Sequence, residues 1–381
     1  MKEETILIRA PITLDRRRAL AAGGGLFLAL MGAGPARAAL DFTDIRGRPI
    51  HLDGPARALM IDDSRYLVAL SMISPEPIAR VAAWPRDLNR LGATNFKRFQ
   101  ARFPAIDGLA RVPSSSESFE AEPVLAAMPD VAIFTLNTGP SDAQVALLEA
   151  AGIKVVFLDF FTAPFRHQAP SFEILGRLIG REDQAAAFNK FRQQRLDRIA
   201  ARLAGATGTP PKVFVEVHAG ISPECCNSPG KGNVSDYIAF VGGHNIGADV
   251  LATTVGRLNL EYVIEAAPDI YVATGGSHLE KAGGLVIGAG YDRERVLSAF
   301  RKMAGRPGIA QLGAVTGGRA HGLAHELLNS PLDILAVESL ARWIRPDLFA
   351  DLDPAATMAE INRDFLAIPL DGTYWIDLPP I

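Results

Sequence analysis

The order of apolar and polar positions along the chain predicts an α/β fold. Short apolar runs at residues 58–61, 78–83, 131–135 and 154–158 predict strands in the first half of the chain. A helical spacing covers residues 141–151 between the last two runs, and Gly152 follows it as a helix stop. Strand, helix and strand in this order predict a βαβ unit with parallel pairing.

Residues 181–204 carry the spacing of one long amphipathic helix. Its apolar positions recur close to the helical period and stand among Arg, Gln, Asp and Lys: Phe188, Phe191, Leu196, Ile199 and Leu203. Glycine and proline at residues 205–211 end it. Beyond it, apolar runs at residues 213–217, 270–273 and 315–316 predict further strands, and a C-terminal helix is expected at residues 332–343.

One segment occurs twice, once in each half of the chain. Residues 118–133 read SFEAEPVLAAMPDVAI, and residues 257–272 read RLNLEYVIEAAPDIYV. Each copy has a glutamate, Glu122 or Glu261, a Pro-Asp that starts seven residues later, and then an apolar run. The pattern predicts a short helix that ends at Pro-Asp and leads into a parallel strand. Two equivalent α/β lobes joined by the long helix follow from this repeat.

The first 38 residues have the pattern of an export signal. Arg16 and Arg17, with Leu20 after them, resemble a twin-arginine signal, and the general secretory route stays open as the alternative. Residues 35–38 read PARA, a small-x-small cleavage site before Ala39. The residue that follows the cleavage site is Ala39 and not a cysteine, so a lipid anchor is not expected there.

Composition narrows the class of protein. The 381 residues are 48% apolar and 21% charged with a net charge of −3, which argues against a disordered chain. Removal of residues 1–38 takes away six basic and three acidic residues and leaves 33 basic and 39 acidic ones, a net charge of −6. A mildly acidic chain without a basic patch is a poor candidate for binding nucleic acid. Two cysteines exclude a disulfide scaffold.

Together these features resemble a known family. Residues 55–60 (PARALM), the two Glu…Pro-Asp segments, the long helix and residues 241–246 (VGGHNI) resemble the periplasmic substrate-binding proteins of ABC importers for ferric siderophores, haem and cobalamin. The resemblance covers residues 43–370 and is to the class III type with a helical backbone. It implies two Rossmann-like lobes joined by one long α-helix, with a ligand cleft between them.

The resemblance also implies the organisation and role of the chain. We expect a signal peptide at residues 1–38, lobes at 39–170 and 207–381, and an interlobe helix at 171–206. The expected protein is exported, soluble, monomeric and periplasmic, with no catalytic site, resident cofactor or metal. It would capture a ferric siderophore and deliver it to an inner-membrane ABC permease.

Candidate ligand contacts follow strand ends, where ligands bind in open α/β sheets. Arginine beside Trp or Tyr suits a bulky, anionic or aromatic iron complex, because it offers charge, cation–π contact and stacking. The candidates are Arg65, Tyr66, Trp84, Arg86, Asn137, His218, Arg257, His278, His321 and His325. His321 and His325 are four residues apart and would share a face on a helix, which leaves a bare-metal site open as an alternative.

Position in the repeat assigns a second kind of candidate. In the resembled family, one glutamate on the outer face of each lobe pairs with arginines of the permease, and these map to Glu122 and Glu261. Acids in a first helical turn are also common as ordinary solvated residues. Two further segments stay open: Cys225-Cys226, as a vicinal disulfide or two thiols, and the glycine-rich residues 281–290, for which a surface loop is expected.

Other ligands and one other class of function remain as alternatives. Haem, cobalamin or a bare metal would keep the binding class and change the ligand. An exported enzyme acting on an iron chelate would change the class. The sequence has no Gly-x-Ser-x-Gly elbow and no Gly-x-Gly-x-x-Gly after its first strand, and both absences disfavour the enzyme.

Overall fold

The computed structural model describes residues 39–380, and the expected export signal lies outside the described residues. The first part of the chain forms strands β1 Leu40–Thr43, β2 Pro49–Leu52, β3 Leu59–Ile61, β4 Val81–Trp84, β5 Ala110–Arg111, β6 Val131–Thr135 and β7 Lys154–Leu158. Its helices are α1 Tyr66–Ile73, α2 Leu88–Leu91, α3 Ala93–Arg102, α4 Ala121–Ala127 and α5 Asp142–Ala150, with a 3₁₀ turn at Pro104–Gly108.

Two helices then lead to the second part of the chain, α6 Pro164–Ile179 and α7 Glu182–Leu203. The later strands are β8 Lys212–Glu216, β9 Asn227–Pro229, β10 His244–Asn245, β11 Val255–Arg257, β12 Ile270–Gly275, β13 Gly288–Ala289, β14 Ala320–Ala324, β15 Gly372–Thr373 and β16 Trp375–Leu378. The later helices are α8 Val234–Phe240, α9 Leu260–Ala266, α10 Arg293–Ala304, α11 Gly313–Thr316, α12 Asp333–Ile344, α13 Pro346–Phe349 and α14 Pro354–Asp364, with 3₁₀ turns at Ile246–Asp249, Ser277–Leu279 and His325–Asn329.

Each lobe is built on a five-stranded sheet. The first sheet has the order β5-β4-β3-β6-β7 and is parallel throughout. The second has the order β10-β8-β12-β14-β16, in which only the edge strand β16 is antiparallel. Every residue of β6 and of β12 is buried, as expected for parallel strands covered on both faces. The predicted α/β class with two lobes is confirmed.

The repeated segment has one structure in both lobes. Helix α4 leads into β6, and helix α9 leads into β12, as the pattern predicts. The carboxylate of Asp130 accepts hydrogen bonds from the backbone N–H groups of Arg57 (2.7 Å) and Ala58 (2.8 Å), just before β3. Asp269 accepts from the N–H of Lys212 (2.8 Å) at the start of β8. Each Pro-Asp therefore fixes the start of the neighbouring strand.

Helix α7 spans both lobes. It contacts α1 of the first lobe and α12 of the second, and it packs alongside α6 after a turn at Gly180, which has a φ of 68°. Its apolar side chains Phe188, Leu196 and Ile199 are buried, as their spacing predicts. The lobe limits expected at residues 170 and 206 stay a prediction.

Two expectations about local structure are wrong. Residues 315–316 belong to the short helix α11, and the strand of this region is β14. The glycine-rich residues 281–290 are not a surface loop, because Leu285, Val286 and Ile287 are 0%, 6% and 1% exposed. Strand β13 in this segment pairs antiparallel with β15. A Cβ on Gly284 would meet the backbone oxygen of Ala219 at 2.6 Å, so the glycine permits this close packing.

Candidate ligand-binding cleft

A cleft of about 460 Å³ lies between the two lobes and is lined by both. Its floor is made by residues that follow the carboxyl ends of strands. Arg65 follows β3 and Asn137 follows β6, while His218, His278 and His325 follow β8, β12 and β14. Ligands of open α/β sheets bind in this position, because the loops after the strands are free to carry polar side chains.

Three histidines of the second lobe meet at the cleft. Nε2 of His278 lies 2.9 Å from Nδ1 of His218, and the rings of His218 and His325 are 4.0 Å apart between centroids. The hydroxyl of Thr274 lies 3.0 Å from Nδ1 of His325 and accepts the backbone N–H of His218 at 3.0 Å. With its amide oxygen facing Arg65 and His325, Asn329 accepts from Nε2 of His325 at 3.2 Å. Both ring nitrogens of His325 therefore have protein partners.

The histidine cluster is uncharged at neutral pH. Burial, with a contribution from His278, lowers the pKa of His218 to about 4. Burial likewise lowers the pKa of His278, and it lowers that of His325 well below its usual value. The cluster therefore offers neutral donors and acceptors to a ligand.

The opposite side of the cleft pairs arginines with carboxylates. Arg65 donates to both oxygens of Asp63, at 2.9 and 2.7 Å, and Arg90 also donates to Asp63. Nε of Arg90 lies 3.2 Å from the carboxylate of Asp87. Burial by itself would raise the pKa of Asp63, but the positive charge of Arg65 holds it below its usual range. The two arginines therefore bring hydrogen-bond donors with little net charge.

Two further acids lie beside this network. Asp62 is 3% exposed and accepts from the N–H (2.8 Å) and the hydroxyl (3.0 Å) of Thr135, and burial raises its pKa to about 7. Glu326 lines the cleft, and burial raises its pKa to about 7 as well. Gly288, with a φ of 114°, lies against Glu326, where a Cβ would meet the carboxylate oxygen at 2.7 Å. A larger residue than glycine would displace Glu326.

Five of the residues predicted as ligand contacts line the cleft. They come from five different strand ends and both lobes: Arg65, Asn137, His218, His278 and His325. Their role in binding stays a prediction, while their common location is a property of the fold.

The other five predicted contacts lie elsewhere. Trp84 is fully buried in the core against Phe96, because it is the last residue of β4 and its side chain points into the lobe. Tyr66 is 4% exposed and lies at a small adjoining cavity of about 20 Å³. The guanidinium of Arg86 donates outside the cleft, to the carbonyls of Asp107 (2.6 Å) and Leu109 (2.8 Å).

Arg257 and His321 are also outside the cleft. Arg257 pairs with Glu224 on the surface and donates to the carbonyl of Cys225 at 3.1 Å. His321 lies in strand β14 and not on a helix, so it does not share a helical face with His325. Its ring stacks on Trp343, and its Nδ1 lies 2.8 Å from Asp377. The proposed metal pair of His321 and His325 therefore does not form.

Sequence reasoning missed several residues that line the cleft: Asp87, Arg90, Asn233, Glu326 and Asn329. Glu326 and Asn329 follow β14, a strand that the apolar pattern placed too early in the chain. Asp87 and Arg90 lie three and six residues after β4, close to the predicted Arg86. Asn233 directly precedes α8, and no sequence pattern marks it.

Glu122 and Glu261 occupy matching positions outside the cleft. Each is exposed and lies in the first turn of its helix, α4 or α9. Among the described residues, neither carboxylate has an ion-pair partner within 4.0 Å. Their role in docking stays a prediction.

Cys225 and Cys226 are joined as a vicinal disulfide in the loop between β8 and β9. Cys226 is fully buried and its carbonyl accepts the N–H of Leu258. In the part of the chain described, no group of three or more His, Cys, Asp or Glu side chains is arranged to hold a metal ion.

Solved structures with the same fold are known, although no protein-family model and no curated relative matches the sequence. The TroA-like periplasmic binding protein FepB from Veillonella parvula has a TM-score of 0.79 and 25% identity, over 89% of this chain and 99% of that one. The chain has the TroA-like periplasmic binding protein fold.

More distant structures of this TroA-like fold differ in what they bind. A periplasmic haem-binding protein from Pseudomonas aeruginosa has a TM-score of 0.54 and 19% identity, over 77% of this chain and 94% of that one. The molybdate-binding MolA of Haemophilus influenzae has a TM-score of 0.66 and 15% identity, over 87% and 99%. These neighbours are binding proteins and not enzymes. Between residues 39 and 380, no helix is both long and apolar enough to cross a membrane.

Proposed function

We propose that this TroA-like protein is the periplasmic binding component of an ABC importer and that it captures a ferric siderophore. It would bind the iron complex in the cleft between its lobes and present it to an inner-membrane permease. Binding without catalysis is the role that the fold and its neighbours support.

The charge balance of the cleft is the observation that carries the choice of ligand. Arg65 and Arg90 lie beside Asp63 and Asp87, so the four charges nearly cancel. The remaining donors suit a ligand with several carbonyl oxygens and a small net charge. A bare Fe³⁺ or Zn²⁺ ion would meet guanidinium groups, which cannot act as metal ligands because they stay protonated. A ferric tris-hydroxamate is neutral and carries three carbonyl oxygens, so we take this class as the ligand.

The histidine cluster supports the same class of ligand. Because His218 and His278 are neutral, they add no positive charge that would favour a highly anionic complex. Their imidazoles instead give polar contacts on the side of the cleft that faces the arginines. A neutral complex placed between them would have hydrogen-bond partners from both lobes.

Delivery would use the outer ends of the lobes. Glu122 and Glu261 are exposed in the first turns of equivalent helices of the repeat, so each lobe offers one carboxylate at a matching position. Paired charges of this kind orient a complex more than they strengthen it. Arginines on two permease subunits are the expected partners.

Absorption spectroscopy of protein exported and purified from periplasm tests the proposal. A ferric charge-transfer band is expected, while a Soret band or a corrin spectrum would replace the siderophore by haem or cobalamin. Titration of the ligand-free protein with ferric tris(acetohydroxamate), haem and ZnCl₂ gives the second readout. Binding of zinc or haem without binding of any ferric chelate would overturn the proposal.

A further inference from the structure

Residues 365–371 lie between α14 and β15 and form a strap from the second lobe to the first. Both neighbouring elements belong to the second lobe, since α14 contacts α12 and β15 pairs with β13. The strap itself contacts the first lobe, where the N–H of Ala367 donates to the carbonyl of Ser71 in α1 at 2.8 Å. The strap therefore links the lobes at a place far along the chain from α6 and α7.

An arginine of the first lobe binds the C-terminal end of the strap. Arg98 in α3 forms an ion pair with the carboxylate of Asp371 and also donates to the carbonyl of Pro369 at 3.5 Å. The side chain of Arg98 is 26% exposed, so the pair is partly shielded from water. Together with Ala367, these residues attach the strap to two helices of the first lobe, α1 and α3.

Apolar side chains of the strap are buried at every second position. Leu366, Ile368 and Leu370 are 8%, 7% and 5% exposed. Leu370 shares the lining of a cavity of about 20 Å³ with Val68 of α1 and Leu91 of α2. Removal of these side chains from water favours the docked strap.

The strap is also fixed to the second lobe. Asn362 of α14 donates from Nδ2 to the carbonyl of Leu370 (2.8 Å), and its Oδ1 accepts the N–H of Leu370 (2.9 Å). The carbonyl of Asp371 accepts the N–H of Gly290 at 3.1 Å, next to β13. Because the strap is held on both sides, a change in the angle between the lobes must break one of these sets of contacts.

The strap lies beside the ligand cleft. The small cavity at Leu370 is also lined by Arg65, Arg90 and Glu326, and the same three residues line the cleft. A movement of the lobes that releases the strap therefore also moves residues of the cleft.

We propose that the strap holds the two lobes at the angle of this structure and that its release lets the cleft widen. A protein that binds its ligand with both lobes must populate the arrangement in which both lobes reach the ligand. The strap raises that population in the free protein, so less binding energy is needed to bring the lobes together. This inference goes beyond the proposed function and does not depend on which ligand the cleft holds.

Distances between the lobes in the ligand-free protein test the proposal. Nitroxide labels at Ala146→Cys in α5 and Glu265→Cys in α9 report one exposed position of each lobe, away from the strap and the cleft lining. Cys225 and Cys226 are bonded to each other and do not take up the label. With the strap intact, double electron–electron resonance should give one narrow distance distribution.

Two changes release the strap from the first lobe. Arg98→Ala removes the ion pair and should raise the population outside the narrow distribution by about twofold to fivefold. Ala367→Pro removes the N–H that donates to Ser71 and should raise this population by about twofold to tenfold. The double variant should show a larger rise than either single variant.

Arg46→Ala is the matched control. Arg46 pairs with Asp142 and donates to the carbonyl of Pro140 at 3.4 Å, which are the same two kinds of contact that Arg98 makes. All three residues belong to the first lobe, so Arg46→Ala should leave the distance distribution unchanged. Urea unfolding shows whether each variant is folded.

The outcomes decide whether the strap holds the lobes. A broader distribution in the double variant, with an unchanged one in Arg46→Ala, supports the proposal. A broad distribution with the strap intact, an unchanged one in the folded double variant, or equal broadening by Arg46→Ala overturns it. If Ala367→Pro prevents folding, Arg98→Ala decides alone, because a partly exposed ion pair contributes little to global stability.

Discussion

Nε2 of His278 lies 2.9 Å from Nδ1 of His218, so one imidazole donates a hydrogen bond to the other. Only one proton can occupy this contact, because protonation of both rings would place two N–H groups face to face. Arg65 and Arg90 further disfavour a charge on His218. The pair thus links the ends of β8 and β12 in a form that allows at most one of the two rings to be protonated.

Acid should destabilise the protein through this pair. The pKa of His218 is lowered to about 4, so below about pH 6.5 the unfolded chain takes up a proton that the folded protein does not bind. The free energy of unfolding should therefore fall as the pH drops from about 6.5 to about 4, by about 2–3 kcal/mol from His218 after allowance for its partial exposure. Urea unfolding across this pH range measures it.

Two variants test whether His218 causes this pH dependence of the free energy of unfolding. His218→Asn, which tolerates the positive φ of 55°, should flatten the dependence. His244→Gln, at an exposed histidine outside the cleft, should leave it unchanged. An unchanged slope in His218→Asn would contradict the assignment.

Strands covered on both faces are predictable from the sequence, because their residues are continuously apolar. Strands with a weaker hydrophobic signal are not. The continuous apolar runs of β6 and β7 give the strand limits to the residue. Strand β14 reads AHGLA, with a histidine and a glycine, so its hydrophobic signal is weak and the prediction fell on residues 315–316 instead. The order of β14 and β16 in the sheet depends on contacts that local patterns do not carry.

Half of the predicted ligand contacts line the cleft, because strand ends are predictable for the same reason. His218 and His278 come two and three residues after well-predicted strands, so their place at the cleft follows from the sheet geometry. Trp84 fails because a residue at the end of a strand can point to either face, and this one points into the core. Asn233 owes its position to a contact with the other lobe, which a single sequence does not reveal.

Arg65 and Arg86 give a matched pair of predictions for ligand binding. Both were expected at the cleft, but only Arg65 lines it, while Arg86 donates to backbone carbonyls outside. Arg65→Ala should weaken binding of ferric tris(acetohydroxamate) by about tenfold to hundredfold, since hydrogen bonds from charged groups contribute about 1.5–3 kcal/mol. Arg86→Ala should change it by less than about twofold. Calorimetric titration measures both, with thermal unfolding as the check of folding.

If Arg86→Ala weakens binding as much as Arg65→Ala, the cleft that Arg65 lines is not the ligand site. Tryptophan quenching is a poor readout for this comparison, because Trp84 is buried away from the cleft.

If Glu122 and Glu261 dock the protein on its permease, their removal should impair transport and leave ligand binding intact. Glu122→Ala combined with Glu261→Ala should leave ligand affinity unchanged, because both residues lie outside the cleft lining. Uptake of radiolabelled iron chelate by cells should fall by about tenfold or more, since close interfacial charge pairs couple by about 1.5–7 kcal/mol.

The matched control removes two other exposed first-turn acids, Glu182 and Glu294, and should transport normally. Normal uptake by the Glu122 and Glu261 double variant would exclude the docking role.

A buried ion pair joins the long helix α7 to the second lobe. Arg192 and Asp333 are 3% and 0% exposed and meet through two hydrogen bonds of 2.7 and 2.6 Å, with the hydroxyl of Tyr237 donating to Asp333 at 3.2 Å. Burial would lower the pKa of Arg192, but the charge of Asp333 raises it. Each charge is therefore tolerated only because the other is present.

Arg192→Met should lower the free energy of unfolding by about 3–5 kcal/mol, because it leaves the buried carboxylate of Asp333 without its counter-charge. The double variant Arg192→Met with Asp333→Leu should recover most of this loss, since apolar side chains of similar volume can replace a buried ion pair. Arg202 lies on the same helix as Arg192 and forms an exposed pair with Asp351. Arg202→Met, which breaks that pair, should have little effect on the free energy of unfolding. Urea unfolding measures all three, and a double variant no more stable than Arg192→Met would mean that packing around α7, and not the unpaired charge, determines the loss.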